Sequence, residues 1–513
     1  MLTSLGWACI VSCAPASGDD ARSTDSEEGS SGAVDDSTGT GDEPAVMFPT
    51  RLLMLRDTLE GGKALEFVEL EEGDDLTPRA LHPELDPSTV VEEYAVLRGT
   101  ELVAFRARPS DSELSRLYVA QAEIGAPGSA IEIGVDGDVT ELAWLHGART
   151  LVVATSSTTY RVEMTATAPT TPVELPGPSA PADLGIVDAE GMRIAADFSA
   201  AGDPYTCFVA SADPAAPTAW LDAHPGAAAD CSVSGFGPDA VVLAIGELPP
   251  LSLLRRRFVD GQLRDAVELA GDAATQVHVG PHGVIYRTDG STRELFYIAT
   301  EADEIGVPQR LSTEGVDIQF QVSEDRRHLA FSEGSAAKLV DLDRPDVFAV
   351  SLRLPSPYDA NASLFAVSPD LGHAFVLGHR GDGEYWEELT SLWRFDISNG
   401  IATDPLQITE TAPSNPEANS SSIEALDVAP EGDAIAYARN TGRTSPGGDV
   451  SSTELGPRGA TETSILADDS TRRLSYSADG SWLASGEVHV HTRAGEEIVN
   501  MRALEWTWWE LIE

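Results

Sequence analysis

FAVSPDLGHAFVLG, residues 365–378, joins two apolar runs through a short polar turn. Ser368 opens the turn, and Ala374-Phe375-Val376 resume the apolar character six to eight positions later. Short apolar runs bounded by Ser, Pro, Asp and Gly predict the two strands of a hairpin. The same register returns at Ser323 (VSEDRRHLAF), Ala429 (VAPEGDAIAY) and Ser477 (YSADGSWLAS). Upstream it recurs at Asp188 (VDAEGMRIAA) and, more degenerately, at Gly280 (VGPHGVIY), Ser234 (VSGFGPDAVV), Leu145 (WLHGARTLVV) and Leu97 (VLRGTELVAF). Successive markers lie 43 to 48 residues apart, with one interval of 61.

A further strand follows each marker: RLYVA, TYRVEM, YTCFVA, LLRRRFV, ELFYIA, AKLVDL, SLWRFDI, TSILAD and EVHVHT. Several alternate apolar and polar residues, as a strand with two unlike faces does. A fourth, shorter strand is visible in SAIEIG, PVELPG, PQRLST and PLQIT. Four short antiparallel strands at this period describe a propeller blade. The 45 Gly and 32 Pro, with no amphipathic helical stripe, exclude a helical repeat. The expectation is an all-β chain: a single β-propeller of four-stranded antiparallel blades over residues 46–513. Nine markers fall at the upper end of an expected seven to nine blades, with about eight the central value. Residues 51–56 and 65–70 precede the first marker and are expected to pair with the C-terminal strands, closing the ring. The long interval predicts insertions near 379–388 and 412–422.

The SPDG-like turns, each followed by an apolar triplet and an LW- or LY-type strand, resemble the TolB-type β-propeller repeat, a WD-related blade. The resemblance is strongest over residues 322–331, 367–376, 428–437 and 476–485. The family's turn carboxylate is matched at Asp325, Asp370 and Asp479, with Glu431 and Glu190 in its place elsewhere. TolB itself carries an α/β domain before its propeller. No βα alternation occurs here, so the resemblance implies the repeat and not a role in the Tol–Pal system.

The chain opens MLTSLGWACIVSC. Its ending, Ile10-Val11-Ser12-Cys13, resembles the bacterial lipobox, which implies cleavage before Cys13 and lipidation of that residue. Residues 1–12 are then the remnant of a signal peptide. Its shortness and the lack of a preceding Lys or Arg predict translation starting upstream of Met1. Three acyl chains would anchor firmly, since each buried methylene contributes ~0.8 kcal/mol. Residues 14–45 hold nine acids, one arginine and no aromatic, and so predict a disordered tether that keeps a folded body clear of the membrane. Ala14 beside the cysteine, where Asp would signal inner-membrane retention, implies the outer membrane, facing either the periplasm or the exterior. Cys207 and Cys231 lie 24 apart in strand-like sequence. They fit either a disulfide between neighbouring strands or two buried free thiols.

Charge narrows the partners. Acids outnumber Lys and Arg 84 to 33, for a net charge of −51 in 513 residues. Such a surface repels phosphate backbones, so no nucleic-acid partner is expected. Most of the charge lies outside the tether and belongs to the folded body.

Candidate chemistry is sparse. Turn carboxylates of this kind ordinarily bond their own backbone, which is the role expected of Asp325, Asp370 and Asp479. His278, His282, His328, His373 and His379 are the candidates for a metal in the central channel, although no HExxH- or CxxC-type spacing accompanies them. Asp136 and Asp138 lack the rest of a calcium loop. Neither a GxSxG elbow nor a phosphate-cradling Gly loop occurs. Trp506, Trp508 and Trp509 are expected to fill the closing blade, with partner docking as the alternative. No cofactor is expected, with a metal ion as the alternative. The sequence therefore predicts a monomeric cell-envelope lipoprotein whose propeller loops bind a protein, peptide or glycan without catalysis. The competing expectation is a metal-dependent polysaccharide lyase or hydrolase using channel-facing His and carboxylates.

Overall fold

Eight hydrogen-bonded sheets, nearly all antiparallel, account for the described residues. The computed structural model describes residues 51–512 apart from short connecting stretches, the longest being 411–421, with backbone alone described for the strands within 439–473 and 486–512. The only helical piece among the described residues is the short 3-10 turn His146–Ala148. The architecture is all-β and propeller-like.

Six sheets hold four or five strands and two hold eight. The first eight-stranded sheet is two four-strand units joined by one parallel bridge, Lys63 to Val90. In the second, two units share the strand Val267–Val279, which pairs first with Leu251–Val259 and then with Gly283–Thr288. In chain order the units comprise residues 51–80 with 506–512, then 90–133, 139–175, 183–222, 231–273, 273–310, 321–353, 359–410, 422–468 and 474–500. We number these units 1 to 10.

Strands run in chain order across each unit, from first to fourth. Unit 1 differs: its first place is taken by the C-terminal strand Trp506–Ile512, paired antiparallel with Arg51–Asp57. The first strand of one unit lies against the first strand of the next. Val90–Val96 meets Val139–Leu145, then come Asp183–Val187, Cys231–Gly237 and Val267–Val279; further on, Asp359–Val367 meets Ser422–Val428, and that meets Leu474–Tyr476.

Core residues sit between units. One apolar cluster, with Leu53, Phe67 and Phe105, joins units 1 and 2; the next, with Leu117, Trp144 and Val153, joins units 2 and 3. The pattern continues to the cluster of Ala436, Tyr476 and Leu483 between units 9 and 10. Second strands are sandwiched between two neighbours, which is why Thr150–Thr155 (TLVVAT) is buried along its whole length and does not alternate. Fully burying a side chain such as Phe105 or Phe375 contributes about 2–3 kcal/mol.

The turn register has a simple cause. The marker residue itself closes the turn: Asp188 Oδ1, Ser368 Oγ and Ser477 Oγ accept the N–H of Arg193, His373 and Trp482, each five residues on. Asp325, Asp370 and Asp479 lie outside the described residues, while Glu190 and Glu431 occupy exposed turn positions. One strand assignment needs correction: TSILAD belongs to Gly459–Asp468, the fourth strand of unit 9, and the third is Gly448–Gly456. The sequence GDVSSTELG carries too few apolar residues to stand out as a strand. Part of the 61-residue interval is taken up by two long strands, His373–Arg380 and Leu389–Ser398.

Candidate functional site

The first strands of units 3, 4, 7 and 10 each have one bare edge, because only the other side joins the ladder. Among the described residues, four side chains from first strands reach across a seam and satisfy that edge in the next unit. The Glu93 carboxylate accepts the Leu142 N–H. Glu141 Oε2 accepts the Leu184 N–H at 2.5 Å. The Gln276 amide brackets Phe320, accepting its N–H at 3.2 Å and donating to its carbonyl at 2.5 Å. Asp427 Oδ2 accepts the Tyr476 N–H at 2.6 Å. Glu93, Glu141 and Gln276 stand four residues before the markers Leu97, Leu145 and Gly280. The signal present in the sequence was thus a long polar side chain at one fixed distance before the marker in these three strands.

These first strands are also bulged near the same place, with register shifts at Val91/Glu93, Val139/Glu141 and Ala273/Val277. A bulge re-aims one side chain. In unit 2 the extra residue is Glu92, and the densest charged cluster of the first strands forms there. Arg106 Nε lies 3.0 Å from Glu93 Oε2, and its Nη1 donates to the Val139 carbonyl at 3.2 Å. Arg108 Nη2 pairs with Glu92 Oε1 at 3.1 Å, while Ser115 Oγ donates to Glu92 Oε2 at 2.7 Å. Burial outweighs Arg106 and the Leu142 N–H and pushes Glu93 up to about 7. The cluster can hold a proton near neutrality, and Glu93 and Arg106 reach from it to the Leu142 N–H and the Val139 carbonyl of unit 3.

The candidate histidines do not gather. His328 and His373 open the second strands of units 7 and 8 at equivalent places, and His282 stands one residue before the second strand of unit 6. Repeat equivalence separates them by the width of a sheet, about 10 Å or more per step. His373 and His379 lie near opposite ends of His373–Arg380, roughly 20 Å apart at ~3.3 Å per residue. His278 sits near the end of Val267–Val279, opposite Ile285. Among the described residues, no group of three or more His, Cys, Asp or Glu is placed to hold a metal ion. His373 is held by its own sheet: Nδ1 lies 2.9 Å from Asp396 Oδ1, which also accepts from Arg394 Nε at 2.8 Å. The Arg394 Nη2 stands 3.5 Å from His373 Nε2, so a cation covers the ring's outer nitrogen.

Other candidates have structural employment. Asp138 Oδ1 accepts the Ser115 N–H at 2.6 Å, tying unit 2 to the strand entering unit 3. Cys207 and Cys231 form a disulfide, with Cα atoms 5.5 Å apart, that links the third strand of unit 4 to the first strand of unit 5. Cys13 and the acidic tether lie outside the described residues, as do the side chains of Trp506, Trp508 and Trp509. No helix among the described residues is long and apolar enough to cross a membrane.

No protein-family model and no curated protein matches the sequence. Among solved structures the chain is similar to a eukaryotic initiation factor, with 11% identity, a TM-score of 0.45, and 82% of this chain and 97% of that chain covered. It is also similar to the dihydro-heme d1 dehydrogenase NirN, at 13% identity and a TM-score of 0.36, covering 72% of this chain and 74% of that one. Hydrazine synthase of Kuenenia stuttgartiensis follows at 14% identity and a TM-score of 0.30, covering 50% of this chain and 75% of that one.

Proposed function

We propose that the chain is a lipid-anchored, TolB-like propeller of the bacterial cell envelope that binds a protein, peptide or glycan partner at its loops and performs no catalysis itself. The observation that carries this reading is the use made of the polar side chains on the first strands. Glu93, Glu141, Gln276 and Asp427 spend their acceptors on the neighbouring unit's backbone. Groups committed in this way stiffen a frame and are poor candidates for moving protons to a substrate. A stiff frame presenting variable loops is the usual arrangement for recognition.

In this reading the units form one ring of ten blades rather than about eight. Pairing of Trp506–Ile512 with Arg51–Asp57 supports closure, because it places both ends of the folded body in one sheet. The ring is carried at the outer membrane on acyl chains at Cys13, with residues 14–45 as the tether.

Two measurements test the proposal. Replacing Cys13 by Ser should move the protein from the membrane fraction to the soluble one; unchanged partition overturns the anchor. The released protein should not cleave envelope polysaccharides with or without added divalent metal. Metal-dependent appearance of new reducing ends or unsaturated sugars would overturn the non-catalytic reading.

A further inference from the structure

Exposed apolar side chains are scattered over most of the molecule, but two sit on a frame built to hold them still. Tyr205 leads into the third strand of unit 4 and is 49% exposed. Leu248 stands in the turn between the second and third strands of unit 5 and is 75% exposed. Asp230 links the two places: its Oδ1 accepts the Tyr205 N–H at 2.8 Å, and its carbonyl accepts the Gly246 N–H at 2.9 Å. The next residue, Cys231, donates its N–H to the Tyr205 carbonyl at 2.9 Å and is bonded through sulfur to Cys207. Pro249 and Pro250 complete the Leu248 turn, and proline rings restrict its backbone further. The result is an aromatic ring, an aliphatic side chain and two prolines held on one disulfide-pinned frame.

Such preorganisation lowers the ordering cost of binding, which a solvated loop would otherwise incur at contact. The charges around it select the partner. Asp230 lies in the frame, Glu247 is exposed beside Leu248, and the chain as a whole carries −51. Anionic segments are repelled from this place, while a basic segment gains from steering before contact.

We propose that Tyr205, Leu248, Pro249 and Pro250 form a docking platform for an extended basic segment of another protein, one that alternates cationic with aliphatic side chains. The proposal rests on the binding-module reading above and names its surface and its partner chemistry. The aliphatic groups pack on Tyr205 and Leu248, and the cations lie towards Asp230 and Glu247.

The test uses the full chain with Cys13→Ser and a short synthetic peptide alternating Lys and Leu, followed by fluorescence anisotropy. A Lys–Ser peptide of equal length and charge measures attraction by charge alone. The double variant Tyr205→Ser/Leu248→Ser should bind the Lys–Leu peptide about tenfold more weakly than the parent. It should bind the Lys–Ser peptide as the parent does. The variant Ile131→Ser/Val173→Ser, which removes two exposed apolar side chains from fourth strands, should leave both affinities unchanged. Unchanged melting of the Tyr205/Leu248 variant excludes loss of fold as the cause, and Tyr205→Phe should keep most of the affinity. Equal binding of the Lys–Leu peptide by parent and double variant overturns the platform, as does an equal loss in the Ile131/Val173 variant or no binding by the parent. None of these outcomes bears on polysaccharide cleavage, whose appearance would overturn the binding-module reading instead.

Discussion

The seam between units 2 and 3 and the seam between units 4 and 5 solve the same problem with opposite chemistry. Both press one sheet on the next through a buried apolar cluster. The first then adds a charged cluster carried on unit 2, in which Glu93 accepts the Leu142 N–H and Arg106 donates to the Val139 carbonyl of unit 3, with Trp144 Nε1 donating back to the Ala95 carbonyl at 2.8 Å. At the second, a disulfide runs through the apolar cluster itself, whose members include Cys207 and Cys231. A seam closed by charge responds to pH, because part of its strength depends on who holds a proton. One closed by a covalent bond does not, and it can carry exposed apolar side chains without shifting under them.

Trp144→Ala should produce the largest loss, about 4 kcal/mol, since a large buried ring leaves a cavity between two sheets. Denaturant unfolding followed by intrinsic fluorescence measures it. Trp144→Phe should recover most of that loss and leave a deficit of about 1 kcal/mol, the value of the indole hydrogen bond to Ala95. If the two variants lose equally, the ring is not filling the seam.

On the other side of the comparison, replacing Cys207 and Cys231 together by Ala should cost about 3 kcal/mol, because the bond closes a loop of 24 residues in the unfolded chain. The loss should be the same at pH 5 and pH 8, as disulfide sulfurs carry no titrating proton. A loss that changed strongly with pH would break the distinction between the two seams.

Glu93 should make the charged seam weaken as pH rises. Folding raises its pKa from 4.5 to about 7, so between those values the folded chain keeps a proton that the unfolded chain has released. Its contribution is therefore fully present below pH 4.5 and is lost as pH rises through 7. Burial drives the shift; Arg106 from the adjacent strand and the Leu142 N–H oppose it, while Glu92 beside it favours it. Allowing for the partial exposure of the carboxylate, the decline across this window should be about 1–2 kcal/mol. Glu93→Gln should flatten that part of the pH profile while still accepting the Leu142 N–H. A variant with an unchanged slope would place the titrating group elsewhere.

The sequence revealed some parts of this arrangement and hid others for reasons visible in particular residues. The turn register was legible because the closing side chain must be short and polar, as at Asp188, Ser368 and Ser477. Third strands such as Thr206–Ser211 were legible because their burial alternates in part. Unit 1 escaped the count of turns because its first strand arrives from the far end of the chain, leaving no turn before Arg51–Asp57 to be read. Bridging side chains were missed because a bulge breaks the two-residue period where Glu93 and Glu141 stand. The five histidines attracted attention as a set, yet repetition carries equivalent residues apart instead of together.

Arg193 supplies the smallest and most discriminating test, because it places a cation in the disulfide seam without making that seam charge-dependent. Its guanidinium lies 4.6 Å from the centre of the Phe258 ring, and Nη1 donates to the Pro238 carbonyl at 2.9 Å. Both partners belong to unit 5, and neither titrates. Its carboxylate neighbour Asp188, at 3.6 Å, already accepts the Met192 and Arg193 N–H groups and stays within unit 4. Arg193→Lys keeps the charge but gives up the planar stack and the directed hydrogen bond, so it should cost about 0.5–1 kcal/mol. Because planarity and not net charge is lost, the deficit should persist in high salt. The Glu93–Arg106 pair, partly open to solvent, should instead lose part of its worth as salt rises. If salt were to erase the Arg193→Lys deficit, the second seam would be electrostatic after all, and the contrast between the two would rest on the disulfide alone.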